Sequence, residues 1–149
     1  MNDTREEIID QLGKLLTLSN DAEEGYKEAA DNVDDNELKT LFLKQSQQRA
    51  EFAQELDREI RALGGDTDND TSLTADLHRA WINIKSAFTS NDDKTVVQEC
   101  HRGDQEALND YNKVLQETNL AASTRELLLR QKQSIDTANS TMARLAQAV

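Results

Sequence analysis

The chain has no proline and only five glycines in 149 residues, where average usage would supply roughly seven prolines. These residues interrupt helices, so their scarcity favours long, unbroken ones, and nothing in the chain reads as a strand. A single cysteine, Cys100, rules out an internal disulfide framework. No apolar run approaches the length needed to cross a membrane. The opening MNDTREEIID lacks the basic stretch and apolar run of a secretory signal. A soluble cytoplasmic protein is therefore expected, and the sequons at Asn2, Asn69 and Asn139 read as accidents of composition. No phosphate-binding glycine loop, nucleophile elbow or aromatic stacking platform is present.

What is there is charge. The net charge is −12, with 31% charged and 36% hydrophobic residues. Residues 1–70 hold 19 acidic and 8 basic side chains, whereas the remainder is nearly balanced. Such a surface repels phosphate backbones and anionic lipid, so neither nucleic acid nor a membrane is an expected partner. A basic protein would suit the acidic first half. From Thr124 onward the chain turns locally basic, with Arg125, Arg130, Lys132 and Arg144. That segment would pack favourably beside the acidic half, within the chain or between subunits.

At this length residues 1–149 form one domain. Leu12, Leu16, Ser19, Glu23, Tyr26, Ala30 and Val33 follow the four-three spacing of a helix seam over about residues 3–33, and Ile8, Leu15, Ala22 and Ala29 widen it. Leu38, Phe42, Gln45, Arg49, Phe52, Leu56, Ile60 and Leu63 mark a second helix, stopped by Gly64 and Gly65. A shorter helix over about 73–88 carries Leu73, Leu77, Trp81, Ile84 and Phe88. A fourth runs from about Lys94 to Gln116, with Val97, His101, Asp104, Leu108, Tyr111 and Leu115 on its seam, flanked by Cys100, Ala107 and Val114. The last begins with Ser123 and Glu126 at capping-box spacing and continues through Leu128, Gln131, Ile135, Ala138, Met142, Leu145 and Val149. The sequence thus predicts an all-α, ferritin-like antiparallel four-helix bundle with an additional shorter crossover helix. A bundle of the first four helices with the fifth packed outside is the alternative.

The seams turn polar near mid-helix, and buried polar groups persist only when paired or coordinated. One reading is a buried network of Glu23, Gln45, Arg49, Asp104 and Gln131 that fixes helix register, with Tyr26 and Tyr111 pointing their hydroxyls into the same layer. The other is a site for iron or another divalent metal built from Glu23, Glu99, His101 and Asp104. Against it stand Arg49, a fixed cation at the same level, and the lack of a paired Glu-x-x-His pattern. Glu51-x-x-Gln54 and Glu55-x-x-Arg58 offer no histidine. No cofactor is expected on the network reading. Arg102-Gly103-Asp104 matches an adhesion tripeptide but falls inside a periodic helix, so it reads as coincidence. Cys100 reads as a small buried hydrophobe, and His78 as a packing or capping histidine.

The blocks DAEEGYKEAADNVDDNELKTLF (21–42), QQRAEFAQELDREIRALGG (47–65), LHRAW (77–81) and ECHRGDQEALNDY (99–111) resemble a bacterial ferritin-like four-helix-bundle family of uncharacterised proteins. The chain is also similar to small stress-associated proteins of the YciF type. The resemblance covers roughly residues 5–118. It implies a cytoplasmic homo-oligomer, stress-related in some relatives, with no established enzymatic activity. Members that resemble this chain carry Glu at the positions of His101 and Asp104, whereas Glu23, Arg49 and Glu99 match. The expected function is a non-catalytic, self-associating bundle, and the alternative is a metal-binding ferritin relative.

Overall fold

Carboxylates and glycines set the helix ends in the computed structural model, which describes residues 3–67, 92–117 and 119–148. Helix α1 spans Asp3–Asp31 and α2 spans Asn36–Ala62. Between them Asp35 is extended and its side chain accepts from the Leu38 N–H at 3.2 Å, satisfying a donor that the helix cannot. At the far end of α2 the Gly65 N–H reaches the Ile60 carbonyl at 2.9 Å and the Gly64 N–H reaches Arg61 at 3.0 Å. This is a Schellman closure, and it requires the left-handed φ of +94° that Gly64 adopts. Gly65 is needed for a different reason: a Cβ there would stand 2.8 Å from methyls of Ile60 and Ile9.

Helix α3 spans Asp93–Leu115 and is capped by Asp92, which accepts from the Lys94 N–H at 3.1 Å. Helix α4 spans Ala122–Ala148. It begins just ahead of Ser123, which therefore lies in the first turn rather than at the cap. Thr124 is buried and donates its hydroxyl to Glu59 on α2.

α1 packs on α2 and α3, and α4 packs on the same two, leaving α1/α4 and α2/α3 as the diagonals of the bundle. Polar contacts give the directions. The Asp93 carboxylate at the start of α3 accepts from the Asp34 and Asp35 N–H groups just beyond α1, while Tyr26 meets Asp104 further along. α1 and α3 are therefore antiparallel. Glu59 near the end of α2 meets Thr124 near the start of α4, so these two are antiparallel as well. It follows that α2 and α3 run parallel, and the end of one lies opposite the start of the other. This is the ferritin-like connectivity expected. The alternative with the last helix outside is overturned, because Leu128, Gln131, Ile135 and Met142 of α4 are buried in the core. The shorter helix expected over 73–88, with His78, lies outside the described residues.

Candidate functional site

Halfway along the bundle the core turns charged. Arg49 on α2 and Asp104 on α3 are 1% and 0% exposed, and Nη1 donates to Oδ1 at 2.8 Å. The Tyr26 hydroxyl on α1 donates to the other carboxylate oxygen, Oδ2. The Arg49 guanidinium carbon lies 5.4 Å from the Tyr26 ring centroid, within cation–π range. Phe42 backs that ring at 5.8 Å. Three helices thus converge on one carboxylate.

Electrostatics keeps Tyr26 and Arg49 in the states the geometry needs. Burial, then the Asp104 charge, pushes the Tyr26 hydroxyl well above its usual pKa, so it remains a donor. Burial opposes the charge on Arg49, but Asp104 and the surrounding groups outweigh it and hold the guanidinium above its ordinary value. Cys100, one turn before Asp104, is fully buried, and burial together with Asp104 raises its pKa strongly. It is a thiol, not a thiolate nucleophile.

A second polar group sits two turns along α3, about 10 Å away at 1.5 Å per residue. The Tyr111 hydroxyl donates to Gln131 Oε1 at 2.7 Å, and Gln131 Nε2 donates to Glu55 Oε1 at 2.9 Å. Arg130 closes on Glu55 at 3.2 Å. Burial raises the Tyr111 pKa, with Ser19 and Arg49 opposing. The polar positions therefore form two hydrogen-bonded groups at successive levels of α3, within electrostatic reach of each other through Arg49 and Tyr111.

Of the five residues read as a network, the structure joins Arg49 directly to Asp104. Gln131 belongs to the second level, and Gln45 is buried with its Oε1 unpaired. Glu23 is half-buried and lines an open groove with Leu16, Asn20, Gln54 and Asp57. The α1 core position beside it is Ala22, at 1% exposure.

The four metal candidates do not meet. Glu99 pairs with Arg102 at 3.1 Å, His101 is half-buried, and only Asp104 reaches the core. On α3 the buried residues are Val96, Val97, Cys100, Gly103, Asp104, Ala107, Leu108, Tyr111 and Val114. Val97, Asp104, Leu108 and Tyr111 of the seam read in the sequence are buried as expected, but the stripe is centred toward Cys100, Ala107 and Val114, which leaves His101 and Leu115 on the flank. Among the described residues no three His, Cys, Asp or Glu side chains lie close enough to hold an ion. With both Asp104 oxygens engaged and a guanidinium beside them, the described core residues do not fit a metal centre.

Glu55 was visible in the sequence only as half of an incomplete metal pair, and instead it binds Gln131 and Arg130. Its one signal is a position next to the Leu56 seam. Of the adhesion-like triplet, Gly103 and Asp104 are buried. Asn139 is 4% exposed, within its sequon.

Residues 7–117 match the family described as Domain of unknown function (DUF2383). The chain belongs to that family. No curated protein sequence matches this DUF2383 chain. Among solved structures it is similar to a mutant of Dps1 from Mycobacterium smegmatis, with 15% identity, a TM-score of 0.83, and coverage of 98% of this chain and 99% of that one. At that identity the likeness shows the ferritin-like four-helix fold alone. Among the described residues no helix is long and apolar enough to cross a membrane.

Proposed function

We propose that this DUF2383 protein is a non-catalytic, self-associating, cytoplasmic bundle with a stress-related role. The observation that carries the non-catalytic reading is the engagement of Asp104 by Arg49 and Tyr26 at mid-core, where ferritin-like metal proteins project their ligands. Asp104 is the one fully buried carboxylate among the described residues, and the network spends it on register rather than on an ion. Self-association draws support from charge placement. The acidic α1, with Glu6, Glu7, Asp10, Glu24, Glu28 and Asp31, and the basic α4, with Arg125, Lys132 and Arg144 beside the paired Arg130, lie on one diagonal. Their outward faces point away from each other, so a second copy can neutralise what one chain leaves unbalanced. The stress-related part rests on the sequence resemblance to stress-associated bundles.

Native mass spectrometry of the purified protein, before and after addition of iron(II) in air, tests both parts. The expected result is a mass at a multiple of 16.8 kDa, lowered by high salt, with no retained iron and no oxygen uptake. A monomer at every salt concentration removes self-association. Retained iron with oxygen consumption replaces the non-catalytic reading with a metal-binding one.

A further inference from the structure

Arg49 spends one of its three nitrogens on Asp104. The other two, Nε and Nη2, are buried and have no partner among the described residues. These N–H groups lie on the same edge of the planar guanidinium and point the same way, a fork able to close on a single oxygen. One helical turn earlier on α2, Gln45 is 5% exposed and its Oε1 is likewise buried and unpaired. Residues four apart on a helix face are neighbours, with Cβ atoms about 5–6 Å apart. Two orphan donors and one orphan acceptor thus belong to side chains one turn apart on the same buried helix face.

We propose that the Arg49 fork and Gln45 form a built binding site for one small neutral guest, a water molecule. Its oxygen accepts from Nε–H and Nη2–H, and one of its hydrogens is donated to Gln45 Oε1. Charge decides the class of guest. Arg49 is already neutralised by Asp104, and Tyr26 and Cys100 are held protonated around them. An anion in the fork would bury an uncompensated negative charge, and a cation would face a guanidinium edge. Water alone supplies both acceptor and donor without net charge, and buried waters characteristically make about three such bonds. The inference rests on the network geometry and is independent of the proposed function.

The test is NMR on protein labelled with 15N in arginine, reading water cross-relaxation at the Arg49 Nε–H. The expected result is a direct cross-peak from a long-lived water, retained at high salt and unaffected by added phosphate. Gln45→Met, which keeps the volume and removes the acceptor, should abolish or sharply weaken that peak while the Arg49–Asp104 pair persists. Should the variant fail to fold, the wild-type spectrum still decides. An Arg49 Nε–H that shows no water contact, or that shifts on phosphate titration, overturns the proposal. So does a high-resolution structure in which the fork bonds a protein acceptor.

Discussion

Arg49 and Asp104 are ion-paired at 2.8 Å although their helices lie across the diagonal of the bundle. Only a long side chain reaching through the centre can join them, so the pair clamps together two helices that share no backbone contact. Tyr26 adds the third helix. A register slip of α2 against α3 would strand both charges in a dry core, which makes the pair a selector among alignments of otherwise interchangeable apolar seams.

Removing the cation should therefore be costly. Arg49→Met leaves Asp104 buried without its counter-charge, and a loss of about 3–5 kcal/mol in urea unfolding is expected. The double variant Arg49→Met with Asp104→Leu should regain much of that loss, since an apolar pair needs no solvation. If the single change were silent, the pair would not be clamping anything.

Alkaline pH should weaken the fold. Burial, and after it Asp104, keeps Tyr26 and Cys100 protonated in the native state beyond their usual range, and burial does the same for Tyr111. Unfolded cysteine and tyrosine ionise near about 8.5 and 10. The unfolded chain thus releases protons first, and stability that is complete below about pH 8 declines as pH rises past those values. Cys100→Ala should flatten the early part of that decline. Tyr26→Phe should flatten the later part while costing about 1–3 kcal/mol at neutral pH through the lost bond to Asp104. Denaturant titrations at a series of pH values between 7 and about 11 read both effects.

The second polar level is more modest. Tyr111→Phe removes the 2.7 Å bond to Gln131, and a loss of about 1 kcal/mol is expected for a neutral pair. A double-mutant cycle with Arg49→Met should be close to additive if the two levels act separately, and coupling well above about 0.5 kcal/mol would show one cooperative network.

At the end of α2 two adjacent glycines should fail for different reasons. Gly65→Ala drives a Cβ into the Ile60 and Ile9 methyls at 2.8 Å and should cost about 1–3 kcal/mol. Gly64→Ala meets open space but retains a φ of +94°, with an expected cost of about 1–2 kcal/mol from the left-handed backbone alone. Thermal melts rank them, and truncating Ile9 to Ala should relieve part of the Gly65→Ala cost, since the Ile60 methyl remains, and none of the Gly64→Ala cost.

The four described helices, the glycine stop and the connectivity were legible because each depends on local chemistry: apolar spacing, capping carboxylates, a left-handed glycine. Arg49 and Asp104 were also legible as polar breaks in apolar seams. Glu23 and His101 were misplaced, since one residue turns a helix by about 100° and a broad seam does not say which of two neighbours points inward. Ala22 and Cys100 take the inward positions instead. Glu55 escaped notice because its partners, Gln131 and Arg130, lie more than seventy residues away.

By itself the sequence determined that these segments are helices, where they stop, and that a charged residue interrupts the second and fourth predicted stripes. Which charge meets which was decided only by tertiary packing. Rotation of each helix and the alignment of α2 with α3 across the diagonal are set by side chains interlocking across the whole core, and that interlocking brings Tyr26, Arg49 and Asp104 to one point.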